Sequence, residues 1–224
     1  MKRTVGRPPK SHPADEGTRA AILSAARHIF ARGGVDGTSV REVAEAARVN
    51  NAMIYYHFRD KTGLYRAVLS DSFMTFDRIW EHPIFRGNAP VRQKIEKYME
   101  EFIRFEHANE DLRRILSMEF ATCGRNCKWL ANTFFSHGYE KLSGILTQGM
   151  RSGELKRIDP AIALSCLFGM IVQSFIMQPI AEIITGKKLD LSVKRFGKFA
   201  TDLFFEGLGS KQSSKTARKK ISIP

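Results

Sequence analysis

The chain of 224 residues carries 36 lysines and arginines against 23 aspartates and glutamates, a formal net charge of +13. Residues 1–70 have 12 basic and 6 acidic side chains (+6), residues 71–208 have 19 and 17 (+2), and residues 209–224 have 5 and none (+5). A nearly neutral body between basic ends favours contact with a polyanion at the ends and argues against a uniformly basic scaffold. The 3 cysteines and the lack of an apolar leader in residues 1–17 predict a cytoplasmic protein.

Both terminal segments, residues 1–17 and 209–224, are polar and basic and are predicted to be disordered tails. Gly6-Arg7-Pro8 in the first resembles the core of arms that enter the minor groove of A·T-rich DNA, with Arg7 as the candidate contact. A tail that only improves solubility is the alternative. The second tail is expected to attract phosphates without sequence preference.

The first helical pattern is predicted to start at Thr18, as N-cap, and to end at Arg32, before two glycines. Its apolar residues recur on one face: Ile22, Leu23, Ala26, Ile29 and Phe30.

The segment from Thr38 to Lys61 predicts two short helices joined by a tight turn. Ser39 and Glu42 have the spacing of a capping box, in which a hydroxyl and a carboxylate satisfy the first backbone N–H groups. Val40, Val43, Ala44 and Ala47 give that helix a buried face. Asn50 is a good N-cap for the second helix, whose apolar contacts are expected from Val49, Ile54 and Phe58.

The second short helix concentrates groups that can reach nucleic acid: Asn50, Asn51, Met53, Tyr55, Tyr56 and His57. The alternative is a structural helix whose polar side chains merely face water. The spacing, the capped helix before it and the basic flank favour DNA binding.

Residues Thr18 to about Leu69 resemble the DNA-binding domain of the tetracycline-repressor (TetR) family of bacterial regulators. The resemblance rests on AILSAARHIFARGG, TSVREVAEAA and VNNAMIYYHFRDKTGLY, and above all on the YYHF sequence followed by Lys61. One departure is Arg48, at a turn position where the family usually has glycine. A left-handed backbone there costs an arginine roughly 1 kcal/mol more than glycine. Either the turn differs slightly from the family's, or Arg48 gains a phosphate contact that offsets the strain.

The family pattern and helix geometry together suggest a role for each residue. Base edges are expected to be read by residues near the start of the second helix: Asn50, Asn51, Ala52, Met53 and Tyr55. Phosphate contacts are expected from Thr38, Ser39, Tyr56, His57 and Lys61. Arg41 suits either purpose, and Ile54 and Phe58 belong to the core.

Asp60 is predicted to cap a fourth helix, and HPIFRGNAPVR is predicted to be a loop. Five further helices are predicted in the body: Val91–His107, Asp111–Cys123, Lys128–Gly153, Pro160–Ile184 and Leu191–Leu208. The segment from Pro160 to Ala181 lacks charged residues and passes a crude test for a membrane span, but its polar residues favour a fully buried bundle helix and no membrane partner. Two apolar helices at the end of the chain predict a four-helix interface in a homodimer.

The sequence therefore predicts an all-α protein of about nine helices. Residues 18–65 would form the three-helix DNA-binding domain with its helix-turn-helix, and residues 66–208 the helical bundle for effector binding and dimerisation. The resemblance implies an effector pocket for an apolar small molecule, with Glu119, Phe120, Phe134 and Gln173 as candidates. For Glu119, a structural salt bridge is an alternative to ligand binding.

Other chemistry is less well supported. Cys123, Cys127 and His137 form the best metal or redox candidate, but no second ligand cluster exists, and incidental cysteines are favoured. No catalytic motif is present, so neither enzyme activity nor a cofactor or metal is expected.

The favoured function is a ligand-responsive regulator, most often a repressor in this family, that binds a palindromic operator on double-stranded DNA. The alternatives are a nucleoid-type architectural protein for A·T-rich DNA and, less favoured, an enzyme that has adopted the fold.

Overall fold

A computed structural model describes residues 13–122, 124 and 126–208, which contain helices and no strand. These residues form two units. One lies within Met1–Phe73 and Asp111–Gly124, and the other within Met74–Glu110 and Arg125–Pro224. The predicted all-α fold is confirmed.

Helix α1 extends over Pro13–Gly33 and so begins before the predicted N-cap, Thr18. Proline is tolerated in a first helical turn, and Asp15 and Glu16 there interact favourably with the positive end of the helix dipole. The prediction that residues 13–17 belong to a disordered arm is therefore wrong. Arg7 and the remainder of that arm lie outside the described residues.

The next three helices follow the sequence closely: α2 (Val40–Ala47), α3 (Asn51–Phe58) and α4 (Lys61–Asp77). Their buried apolar residues pack with Ile22 and Phe30 of α1. Phe30 meets the Tyr65 ring edge to face, with ring centroids 5.5 Å apart. Helices α1 to α4 thereby contribute to one core, and the rest of α3 stays exposed.

Helix α7 (Glu110–Thr122) belongs, from Asp111 onward, to the same unit. Its Leu112 and Ile115 are buried there. The sequence had placed this helix in the body, because its apolar stripe does not reveal which core it joins.

The second unit contains the remaining helices. A 3₁₀ turn covers Arg78–Glu81, and the short α5 (Pro83–Arg86) corrects the prediction of a loop between residues 82 and 92. Helix α6 covers Val91–Ala108, α8 covers Cys127–Leu130 and α9 covers Ser136–Ser152, with a π-helical segment at Ala131–Phe135 between the last two. Helix α10 covers Pro160–Thr185, and a second π-helical segment (Val193–Gly197) leads into α11 (Lys198–Leu208).

The core of the second unit is built by four helices. Its fully buried residues include Ile95, Met99 and Ile103 of α6, Leu142 and Leu146 of α9, Leu164, Leu167 and Ile171 of α10, and Ala200 of α11. The helix count differs from nine because α5 was not predicted and because the π-helical segment separates α8 from α9.

Helix α10 is not fully buried, so that prediction is wrong for the single chain. Only 28% of its most apolar 18-residue window is buried. One face packs on the core through Leu164, Leu167 and Ile171, whereas Ile180, Ile183 and Ile184 are exposed. By length and composition this helix could cross a membrane, a test that core and interface helices of soluble proteins also pass.

Candidate nucleic-acid interface

The start of α2 is fixed by a complete capping box. Ser39 Oγ accepts a hydrogen bond from the Glu42 backbone N–H (3.1 Å), and the Ser39 N–H donates to Glu42 Oε2 (2.6 Å). These two bonds hold the pKa of Glu42 below its usual value, with the Ser39 backbone bond as the larger cause. Ser39 is thus committed to fixing α2, although it remains exposed.

The turn between α2 and α3 is tight and left-handed. Arg48 has φ 55° and ψ 42°, and its N–H donates to the carbonyl oxygens of Ala44 and Glu45. The Val49 N–H also donates to the Ala44 oxygen, at 3.0 Å. Of the two alternatives for this turn, the structure has the left-handed one, so an arginine occupies a backbone state in which glycine is more stable.

Helix α3 begins at its predicted N-cap, because Asn50 Oδ1 accepts a bond from the Ala52 N–H at 2.9 Å. Ile54 and Phe58 are buried, which turns the opposite side of the helix outward. The exposed residues on α3 are Asn51, Ala52, Tyr55 and Tyr56, and Met53 is half-buried. The exposed tyrosines combine a hydroxyl with a large apolar ring, so this surface can contact both polar and apolar groups of a partner.

Three predicted phosphate contacts make bonds within the unit. Thr38 is buried and its hydroxyl donates to the Gly34 oxygen (2.8 Å), while Lys61 Nζ donates to the Thr38 oxygen (3.0 Å). The His57 side chain is only 6% exposed, and its Nε2 lies 3.3 Å from Asp15 Oδ1. This contact holds the start of α1 beside the end of α3.

Arg41 lies on the exposed surface of α2, with its side chain 79% exposed and its Nε 2.9 Å from Glu45 Oε1. A pair this exposed contributes little to stability. Arg41 can therefore exchange Glu45 for a DNA group at small cost.

Sequence reasoning missed Arg59, the C-cap of α3. Its backbone has φ 70° and ψ −46°, and the Asp60 N–H donates to the Phe58 oxygen at 2.8 Å across it. This is a γ-turn of the rare positive-φ kind, which is strained for any residue with a side chain. No glycine marks the position, so the sequence carries no signal for it.

The arrangement is a helix-turn-helix with an exposed second helix, and residues 22–68 match the model of the family described as bacterial regulatory proteins, tetR family. These residues form a TetR-family DNA-binding domain. The chain is accordingly similar to DNA-binding transcription regulators, and α3 is the second helix of the helix-turn-helix.

Relatives of this chain extend the similarity beyond the TetR-family DNA-binding domain. The uncharacterized HTH-type transcriptional regulator YdeS of Bacillus subtilis is 29% identical over 83% of this chain and 88% of its own length. The fatty acid metabolism regulator protein of Bacillus subtilis is 24% identical over 67% of this chain and 77% of its own. Among solved structures, the regulator FadR of Bacillus subtilis, in complex with stearoyl-CoA, matches with a TM-score of 0.67 at 21% identity, over 84% of this chain and 98% of its own.

The four effector candidates are divided between the two units. Glu119 and Phe120 belong to the DNA-binding unit, and Phe134 and Gln173 belong to the second. Glu119 is buried, and its Oε2 accepts a hydrogen bond from the Tyr65 hydroxyl at 3.0 Å. Phe120 is 51% exposed.

The second unit contains a cleft with a volume of about 460 Å³. It is lined by Asp77, Trp80, Glu81, Phe85, Arg86, His137, Lys141 and Ile145, none of which was an effector candidate. Lys141 Nζ lies 5.2 Å from the centre of the Trp80 ring. No cluster of three or more potential metal ligands occurs in the described part of the chain.

Proposed function

We propose that this protein is a homodimeric, ligand-responsive repressor of the TetR family that binds a palindromic operator. The observation that carries the proposal is the capped helix α3, the recognition helix, which buries Ile54 and Phe58 and leaves Asn51, Tyr55 and Tyr56 exposed. Such a helix enters the major groove with its N-terminal residues at base edges. Asn51 would pair with adenine, and Met53 would contact a thymine methyl group.

The dimer is supported by a set of exposed apolar residues on the last two helices. Its exposed residues are Ile162, Ile176, Met177, Ile180, Ile183 and Ile184 on α10, and Phe199 and Leu203 on α11. A large apolar surface of this kind is normally covered by a partner. Two copies related by a two-fold axis would cover it with a four-helix interface. We will call these eight residues the α10–α11 face.

An effector would act by favouring a state of the dimer whose recognition helices no longer match the operator. Helix α7 suits such coupling, because Glu110 belongs to the second unit and the remainder of the helix to the DNA-binding unit. The Tyr65–Glu119 bond then ties α7 to α4. In this arrangement Glu119 positions α7, while Phe134 and Gln173 remain the proposed effector contacts. The stearoyl-CoA complex of FadR makes long-chain acyl compounds the first class of effector to screen.

Arg7 is proposed to enter the minor groove beside the recognition site. Residues 1–12 hold Lys2, Arg3, Arg7 and Lys10 and no acidic residue. The His57–Asp15 contact places residue 15 beside the recognition helix. Arg7 lies six positions before Pro13, a reach of about 20 Å when extended, and the adjacent minor groove lies about 17 Å away, half a turn of DNA.

The main test is selection of bound DNA from a random pool by the purified full-length chain, at near-physiological salt. Recovery of one inverted repeat supports specific dimeric binding. Enrichment for A·T content alone, with binding that disappears at modest salt, contradicts the proposal and favours an architectural protein. Acyl compounds are then screened for release of the chain from the selected repeat.

The arm is tested with the selected repeat and three kinds of flank: A·T, G·C and inosine·C. Inosine·C resembles A·T in the minor groove, because it lacks the guanine amino group, and resembles G·C in the major groove. Minor-groove binding by Arg7 predicts that A·T and inosine·C flanks bind equally well and better than G·C. The preference should vanish in Arg7→Ala. Equal affinity for all three flanks would contradict minor-groove binding by Arg7.

A further inference from the structure

We infer that Arg48 and Arg59 form a pair of phosphate contacts, one beyond each end of the recognition helix. The inference rests on the proposed DNA binding, assigns a role to Arg48, and adds Arg59, which neither the sequence patterns nor the comparisons single out. Arg59 directly follows Phe58, the last residue of α3, and Arg48 lies three positions before Asn51, the first.

The first observation is their backbone. Among the described residues, Arg48 (φ 55°) and Arg59 (φ 70°) are the only ones other than glycine with positive φ. Glycine is more stable than arginine in these conformations. Backbone strain of this kind clusters at functional sites. We therefore expect the side chain at each strained position to make a contact that offsets the cost of the strain.

The second observation is that both side chains are available. Arg48 and Arg59 are exposed, and neither has an ion-pair partner among the described residues. Other arginines of the unit are engaged, since Arg27 pairs with Asp71 at 2.9 Å and Arg19 lies over the Phe58 ring at 5.5 Å. The two strained positions thus carry unneutralised guanidinium groups.

The third observation is their spacing. An eight-residue helix is about 12 Å long, and the major groove is about 12 Å wide. Residues just beyond the two ends of α3 are therefore within side-chain reach of the phosphates that border the groove when α3 enters it. A guanidinium group binds phosphate with two parallel hydrogen bonds. The cost of the backbone strain is then offset in the DNA complex.

The experiment replaces each arginine by glycine in the full-length chain, because glycine relaxes the backbone while it removes the charge. Melting temperature and affinity are measured together, the latter for the selected repeat and for an unrelated duplex over a range of salt. We expect Arg48→Gly to melt about 2 to 4 °C higher and yet to bind both duplexes more weakly. The slope of log K against log salt should fall by about 1 for each lost contact per protomer. Arg59→Gly should behave in the same way.

Two controls separate a contact from a general charge effect. Arg48→Lys keeps the charge and the strain and should retain most of the affinity. Arg32→Gly removes the same charge from the last turn of α1, about 25 Å along the helix from Asp15, and should leave the affinity nearly unchanged.

The inference is overturned when Arg48→Gly and Arg59→Gly bind the unrelated duplex as tightly as the native chain does. It is also overturned when Arg32→Gly weakens binding as much as they do, since net charge then explains the loss. Phosphate contacts do not depend on sequence, so these results are independent of whether the native chain selects an inverted repeat. Failure of that selection would count against the proposed function alone.

Discussion

The recognition helix and helix α10 both leave large side chains in solvent, but of different chemistry. On α3, Tyr55 is 53% and Tyr56 71% exposed. On α10, Ile183 is 81% and Ile184 77% exposed. A tyrosine has a hydroxyl that can bind a phosphate or a base edge. An exposed isoleucine side chain is stabilised only when apolar groups cover it and remove it from water. The comparison indicates a polar partner for α3 and an apolar partner for α10.

A charged residue placed on α10 is the most direct test of its apolar partner. Ile180→Lys would bury an unpaired ammonium group in the proposed four-helix interface, and the symmetry of the dimer would place two of them there. We expect dissociation to monomers and a loss in operator affinity of about 100-fold or more, or about 3 kcal/mol. Analytical ultracentrifugation and binding to the selected repeat measure the two effects.

Met74→Lys is the matched control for that variant, because Met74 is 70% exposed but lies on α4, outside the α10–α11 face. It should remain dimeric. A dimeric Ile180→Lys protein with full affinity would mean that α10 is covered by something other than a second copy.

A second variant tests base reading by α3. Asn51→Ala removes the amide proposed to pair with adenine, so discrimination between the selected repeat and single-base variants should fall by about 2 kcal/mol at one position. Lys61→Ala should instead weaken binding to all sequences alike. Competition binding with a panel of variant repeats distinguishes the two patterns, and identical patterns would contradict the assigned roles.

The third variant concerns the bond between α4 and α7. Tyr65→Phe leaves the buried Glu119 carboxylate without the Tyr65 donor, which should lower the free energy of unfolding by about 1.5 kcal/mol. Tyr98→Phe makes the same chemical change at a buried tyrosine of the second unit, and it should cost less. Urea unfolding of both variants measures the difference. Equal losses would show that the Tyr65–Glu119 bond has no special role.

The smallest expected effect is the pH dependence of the α2 cap. The pKa of Glu42 is lowered in the folded chain by the Ser39 bonds, so the cap stabilises at pH values above the ordinary glutamate pKa of 4.5. This stabilisation is lost as the pH falls through the lowered folded pKa. The difference in unfolding free energy between the native chain and Glu42→Gln should therefore shrink below pH 4.5. A constant difference would argue against the capping box in solution.

Local chemistry explains which parts of the fold could be predicted. Ser39 and Asn50 cap the helices they were predicted to cap, because caps and turns depend on a few neighbouring residues. The left-handed turn at Arg48 was one of the two alternatives that its position in the family pattern allowed.

Packing between segments that are far apart in the sequence could not be predicted from local chemistry. The apolar stripe of α7 fits either unit equally well, and only the structure places Leu112 and Ile115 with the DNA-binding helices. Nothing in the sequence revealed that the His57 ring turns towards Asp15, 42 positions earlier. The cleft around Trp80 was missed because its lining combines α9 with a 3₁₀ turn and with α5, and α5 was predicted to be loop.

The left-handed backbone at Arg48 also has a genetic consequence. Every arginine codon becomes a glycine codon through a single base change, so the relaxed turn is always one mutation away. The Arg48→Gly mutation would yield a more stable protein that binds its DNA sites more weakly. Populations that need weaker repression could reach it without passing through an unstable intermediate, and those that need tight repression must keep eliminating it.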